Sequence, residues 1–274
     1  MLRKPTHPGW TSLPLLIVLS AGVHAAVQRP STASPVSAAT ATAPTERDPQ
    51  ALAALDRMGA ALRALPHFSL TSQASTEVVL DDGQKVELDG VVTYKVKSPD
   101  KLFLEMRSDR RLRQLFYDGD SLSLYAPRLK YYATSDGRGE TLGELVDDAA
   151  TRYGIDMPLA DMFLWGTDKA PKTAITSAIH IGGGTVDGEP IDQYAFKQDQ
   201  VEWQVWISKA SALPKKLVIT SLDDPALPQY RARLQWDTRS PVADSAFHFS
   251  PPADAARIKL VPVAVVAVDD GEEH

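Results

Sequence analysis

The stretch VEWQVWIS-KASALP-KKLVIT, Val201 to Thr220, decides how the rest of the chain is read. In its first run Val201, Trp203, Val205 and Ile207 fall on one face, and Glu202, Gln204 and Trp206 fall on the other. Strict alternation of apolar and polar positions marks a half-buried strand. In the second run Leu217 and Ile219 oppose Lys216, Val218 and Thr220. Pro214 cannot donate to a ladder, so it belongs at the end of the connection. The stretch reads as a hairpin with one apolar face.

The same pattern recurs on both sides. Leu70, Ala74, Val78 and Leu80 share a face, and Asp82-Gly83 signals a turn. Val86, Leu88, Val92, Tyr94 and Val96 follow in alternation with polar residues, then Leu102, Leu104 and Met106. Leu112–Tyr117 and Ser121–Ala126, joined by Asp118-Gly119-Asp120, read as a further hairpin, with a short strand over Lys130–Thr134. Beyond residue 170, strands are expected at Ile175–Ile181, Ile191–Phe196, the two runs of the opening hairpin, Tyr230–Trp236 and Phe247–Phe249. Gly182-Gly183-Gly184 is expected to be the turn between the first two, and Ile258–Val268 an edge strand.

Three helices are expected. Asp48-Pro49 caps one that carries Leu52, Leu55, Met58, Leu62 and Leu65 at helical spacing and stops at Pro66. Thr141 with Glu144 three residues on opens a second, ending at Gly154. Pro158–Trp165 is a short third, mostly apolar. About eleven strands at about 4.8 Å make a sheet some 50 Å wide, whereas three helices cover only about 30 Å. A mainly antiparallel sheet so much wider than its helical cover must curl on itself into a barrel or half-barrel, which encloses either a packed core or an apolar cavity.

Composition narrows the function. The 274 residues carry 29 Lys+Arg, 35 Asp+Glu and no Cys, for a net charge of −6. Arg3 and Lys4, the apolar run Leu13–Leu19 and the small-residue site Val23-His24-Ala25 read as an export signal cleaved after Ala25. The apolar run is too short to span a bilayer. Cleavage would remove two cations and no acid, taking the charge to −8. An acidic chain without a basic stripe is a poor nucleic-acid binder. Residues 26–46, rich in Ala, Ser, Thr and Pro, read as a disordered linker, 47–268 as a single β-rich domain and 269–274 as an acidic tail.

The residues that could carry chemistry have plainer roles. Asp118 and Asp120 lack the twelve-residue spacing of a calcium loop and suit a tight turn. Gly182-Gly183-Gly184 precedes no helix and so cannot form a phosphate loop. His67, His180 and His248 are isolated from one another, and Ser208 and Ser211 lie in no nucleophile elbow. Arg107, Arg110, Arg111 and Arg113 make a solvated turn or touch an anionic headgroup. Trp165, Trp203, Trp206, Trp236 and Phe163 either line a ligand cavity or pack a core. We expect no catalytic residue, metal or cofactor.

Several segments resemble one family. They are Asp48-Pro49 with its Leu-rich helix, Tyr117-Asp118-Gly119, Met157–Met162, Val201–Ile207, Leu213–Thr220 and Phe247–Pro252. Together they are similar to the bacterial predicted periplasmic proteins grouped as domain of unknown function 2092, over about Asp48 to Lys259. That family is distantly similar to the LolA/LolB lipoprotein carriers. The resemblance implies an eleven-stranded, half-open, curved antiparallel β-barrel with short helices in its mouth, which carries acyl chains across the periplasm, and it transfers no functional residue.

The expected function is therefore periplasmic binding or carriage of a hydrophobic small molecule, lipid or lipoprotein acyl chain. The concave face would supply Leu88, Val92, Tyr94, Leu102, Leu104, Leu122, Leu124, Trp203 and Val205, with Leu159, Met162 and Phe163 as a lid. The alternative is an envelope accessory or structural module that docks another protein through a sheet edge or the convex face bearing Trp206.

Overall fold

A computed structural model describes residues 47–137 and 139–263. The expected export signal, linker and acidic tail, and the last residues of the expected strand 258–268, lie outside the described residues.

One twelve-stranded sheet organises the chain. A first meander runs through β1 (His67–Val79), β2 (Lys85–Lys97), β3 (Lys101–Arg107), β4 (Leu112–Tyr117), β5 (Ser121–Ala126) and β6 (Tyr131–Asp136). A second runs through β7 (Ser177–Val186), β8 (Glu189–Lys197), β9 (Val201–Ser208), β10 (Pro214–Ser221) and β11 (Gln229–Asp237). β1 joins them by pairing antiparallel with β11, from Ser69 opposite Asp237 to Thr76 opposite Tyr230. The two-residue β12 (Ala256–Arg257) adds in parallel to β6. The order is β12-β6-β5-β4-β3-β2-β1-β11-β10-β9-β8-β7, and its ends do not pair, so the curved sheet stays open.

The alternation in the sequence becomes the two faces of this sheet. Tyr94 sits opposite Leu70 and Leu104, and Leu104 opposite Leu115. All four are essentially inaccessible. Across the other half Phe196 pairs with Trp203 and Tyr194 with Val205, and all are buried. The opening hairpin separates its two indoles as a strand must. Trp203 is buried, while Trp206 stands on the outer face under the Lys216 ammonium, 4.3 Å from its ring centre.

Two α-helices lie in the concavity. α1 (Pro49–Arg63) starts at Asp48, whose Oδ1 accepts from Gln50 N at 2.7 Å, and buries Ala51, Ala54, Leu55, Met58 and Leu62. α2 (Leu142–Tyr153) has the expected reciprocal cap between Thr141 and Glu144 and ends at the left-handed Gly154. Both helices and the inward faces of both meanders form one continuous apolar cluster.

Four expectations need correction. Pro158–Trp165 is not a regular helix: Leu159 enters at φ 64° and only the 3-10 turn Ala160–Phe163 forms. Gly182-Gly183-Gly184 is not a turn but lies inside β7, past a register shift between His180 and Gly182. The hairpin turns instead at Asp187-Gly188, where both residues have positive φ, as that type of tight turn demands. Phe247–Phe249 forms no strand. Phe247 is buried, while Phe249 packs 5.2–5.5 Å from Phe116, Tyr125 and Tyr132, in an aromatic patch on the convex face. The edge strand begins two residues before Ile258 and is only two residues long.

Candidate ligand-binding site

The residues expected to line a concavity come together, and the helices cover them. Val92, Tyr94, Leu102, Leu104, Leu122, Met162, Trp203 and Val205 are buried. Leu124, Leu159 and Phe163 are half-buried against the same cluster. Leu88 shares the face of Val92 but is 42% exposed, because the β1–β2 hairpin runs on past the helical cover.

The 3-10 turn is tied to the sheet at Tyr94. The Tyr94 hydroxyl donates to Pro158 O at 2.6 Å, and its ring meets Phe163 edge-on at 5.8 Å. This segment is tied to α1 as well: Arg63 Nη1 donates to Trp165 O at 2.6 Å. The approach is close enough that a Cβ on Gly59 would stand 2.9 Å from that same carbonyl oxygen. Glycine is required there by space rather than by backbone angle.

An open pocket of about 490 Å³ remains between α1, the loop after the 3-10 turn and β9. Leu55, Trp165, Ile175 and Trp203 give it apolar walls, and Asp56 paired with Lys172 at 2.7 Å marks its rim. Of the residues expected from the sequence, Trp203 lines this pocket. Its indole stacks on Phe196 at 4.4 Å and lies nearly parallel to Trp165 at 6.1 Å, and its Nε1 donates to the buried Gln198 at 3.1 Å. Trp165 Nε1 is buried without a hydrogen-bond partner among the described residues. A second opening, bounded by Gln50, Arg57, His180, Asp192 and Tyr194, flanks the start of α1.

Sequence reasoning missed one group in this region, the carboxyl of Asp161. Asp161 lies in the 3-10 turn and keeps partial exposure. Burial pushes its carboxyl up to about 6, and no hydrogen bond or ion pair among the described residues offsets that burial. The only signal in the sequence was a lone acid within Leu159-Ala160-Asp161-Met162-Phe163. Nearby on the concave face Ser72 Oγ and Tyr230 OH are buried beside one another, and burial pushes the Tyr230 phenol well above its ordinary range.

Other polar features are structural. Asp118 Oδ1 accepts from Asp120 N and Ser121 N, as a turn aspartate does, and Oδ2 lies 3.0 Å from His248 Nδ1. His180 stacks on Tyr194 at 4.9 Å, with Nε2 3.5 Å from Asp192. Among the described residues no three His, Cys, Asp or Glu side chains are grouped to hold a metal. None of the helices described is long and apolar enough to cross a membrane.

The chain belongs to the family described as "Predicted periplasmic protein (DUF2092)", whose model matches residues 51–261. No curated protein matches it. Among solved structures it is similar to LprF from Mycobacterium bovis, at 13% identity and a TM-score of 0.40, covering 77% of this chain and all of that one. It is also similar to a LolA superfamily protein from Nitrosomonas europaea, at 9% identity and a TM-score of 0.33, covering 73% and 97%. A third is MucB, at 16% identity and a TM-score of 0.36, covering 74% of this chain and 64% of MucB, just under two thirds of its length.

Proposed function

We propose that this protein binds and carries a hydrophobic ligand, a lipid or the acyl part of a lipidated chain, in the periplasm and without catalysing a reaction. The observation that carries this reading is the open sheet whose apolar concave face is covered by short separate segments rather than by a second sheet. Tyr94, Val92, Leu102, Leu104, Leu122, Leu124, Trp203 and Val205 would form the floor. Leu159, Met162 and Phe163, on a 3-10 turn, would form a displaceable cover. Leu88, at the uncovered end of the face, would meet chain that extends beyond the helices. Each buried methylene contributes about 0.8 kcal/mol, so an acyl chain alone supplies ample driving force. Residues 1–25 would direct export and be cleaved after Ala25, 26–46 would act as a linker to the domain 47–268, and 269–274 would end the chain as an acidic tail.

Native mass spectrometry of the protein recovered from the periplasm tests this. We expect a fraction carrying extra mass that organic solvent extracts as lipid. A uniformly ligand-free protein that also takes up no added lipid would refute the carrier reading.

A second reading, docking of an envelope protein, is favoured by one feature. The outer strand β7 presents Ile179 and Ile181, 40% and 54% exposed, beside its three glycines. The chain before α1 pairs with this edge only at Ala178, whose carbonyl accepts from Asp48 N at 2.9 Å, and the edge beyond it, without a strand partner among the described residues, can accept a strand from a partner.

A further inference from the structure

This acidic chain gathers cations along one edge of its sheet. The turn between β3 and β4 carries Arg107, Arg110, Arg111 and Arg113, all exposed. Arg128 Nη2 donates to Ser108 O at 3.2 Å, which ties the β5–β6 turn to the first. That second turn, Pro127-Arg128-Leu129-Lys130, leads into β6, where Ala256 and Arg257 pair with Tyr131 and Tyr132 at the edge of the sheet. Lys259 follows, also exposed. Segments 105–113, 128–130 and 254–259 thus hold eight Lys and Arg against three acids, in a chain of net charge −6. Two of those acids are taken up locally, Glu105 by Arg107 at 2.7 Å and Asp254 by Lys130 at 2.8 Å. Arg110, Arg111, Arg113, Arg128, Arg257 and Lys259 make no ion pair among the described residues. The same edge leaves apolar side chains in water. Leu129, at the tip of its turn, is 68% exposed, Ile258 50% and Val261 70%, with Tyr131 and Val263 exposed beside them. Single exposed aliphatics are ordinary, but a row of them among unpaired cations marks an interaction surface.

We propose that the β6–β12 edge, with the two turns beside it, docks the protein on a bilayer that carries anionic phospholipid. The free guanidinium and ammonium groups meet lipid phosphates, and Leu129, Ile258 and Val261 enter the headgroup layer. A soluble polyanion would satisfy the cations and leave the aliphatic row in water. A lipid interface offers phosphate and hydrocarbon together, which is the combination this edge presents. The acids of the sheet fix the orientation. β2 pairs Val91 with Arg107 and then runs on past the β3–β4 turn, so the β1–β2 hairpin projects with Asp81, Asp82, Glu87 and Asp89 on it. An end-on approach would press those carboxylates against lipid phosphate, whereas an approach along the edge keeps them clear. Docked in this way, the protein would hold Leu88, at the uncovered end of the concave face, to the side of the membrane contact. The docking face stands or falls independently of the carrier reading, since it needs only the outer edge.

The test is co-sedimentation of the exported protein with vesicles of phosphatidylcholine alone and of equimolar phosphatidylcholine and phosphatidylglycerol. Binding is expected to be at least about ten-fold tighter to the anionic vesicles, and to weaken as added salt screens it. Each cation near such a surface is worth about five-fold, so Arg110→Glu with Arg111→Glu should weaken binding at least about ten-fold. Leu129→Ser should weaken it at least about three-fold by removing an inserted side chain. The control is Lys209→Glu with Arg239→Glu, two exposed cations at the other end of the sheet, which makes the same change in net charge. It should bind as the parent does. Thermal melting confirms that each variant is folded. Equal binding to both kinds of vesicle, unchanged binding of either edge variant, or an equal loss in the control overturns the docking face. So does binding to soluble heparin through Arg110 and Arg111 with no binding to vesicles, which would make the partner a polyanion in solution. The carrier reading is judged separately, by the lipid mass that the same variants carry.

Discussion

Asp161 exerts its effect through ionisation. Its unfolded carboxyl titrates near the ordinary 3.8, and its folded carboxyl near 6, because burial penalises the charged form. The folded state therefore holds the proton more tightly than the unfolded state. Stability from this group is fully present below about pH 4 and is lost as the pH rises through about 6. At neutral pH the ionised carboxylate weighs against folding by at most about 3 kcal/mol, the value of a two-unit shift. We expect Asp161→Asn to be more stable than the parent at pH 7.5 and nearly equal to it at pH 4, by urea unfolding at both values. A constant difference across that range would show that the carboxyl ionises freely in the fold. A group of this kind could not be picked out from the sequence. Its role depends on what surrounds it in space, and one acid between apolar neighbours is also what a surface turn looks like.

At the scale of elements, α1 meets the segment after the 3-10 turn at Gly59 and Trp165, beside the open pocket. Gly59→Ala would raise helix propensity by about 1 kcal/mol. It would also set a Cβ against Trp165 O, where backbone has to move. Overpacking of this kind costs about 1–3 kcal/mol, so we expect a lower melting temperature and weaker burial of Trp165. A melting temperature that rises would mean that the turn yields to α1 at little cost. The elements most legible in the sequence were those with long periods. β2, β3, β9 and β10 alternate over enough residues to fix both strand and face, and the capping residues of α1 and α2 fix where those helices begin. Phe247–Phe249 failed because three alternating residues fit a strand and an irregular segment equally well. The glycine triplet misled because glycine permits a turn without requiring one, while Asp187-Gly188 carried the true signal five residues on. The apolar inner face of the sheet was legible, since the alternation itself defines it. The degree to which helices fill it was not, because that depends on packing between segments far apart in sequence.

For the whole molecule, the position of β1 matters most. It pairs along its length with both β2 and β11, so it has a neighbour on each side in the middle of the sheet. β7 and β12 each have one neighbour. Amide hydrogen exchange should therefore be slowest in β1, β2 and β11 and fastest in β12 and the Gly182–Gly184 part of β7. Protection as strong in β7 as in β1 would point to a closed barrel or to strand pairing between copies of the chain.

The pairing of β1 with β11 also sets the order in which this protein can assemble. Each meander can zip up from its own hairpins as soon as its residues are available. β1, however, meets its second partner only after nearly the whole domain has been made. In a chain made from its N-terminus, the first meander must wait with one edge of β1 bare, and long-range closures of this kind are slow. The seam that unifies the sheet is thus its last to form, and during that wait the nascent chain is most in need of protection by a chaperone.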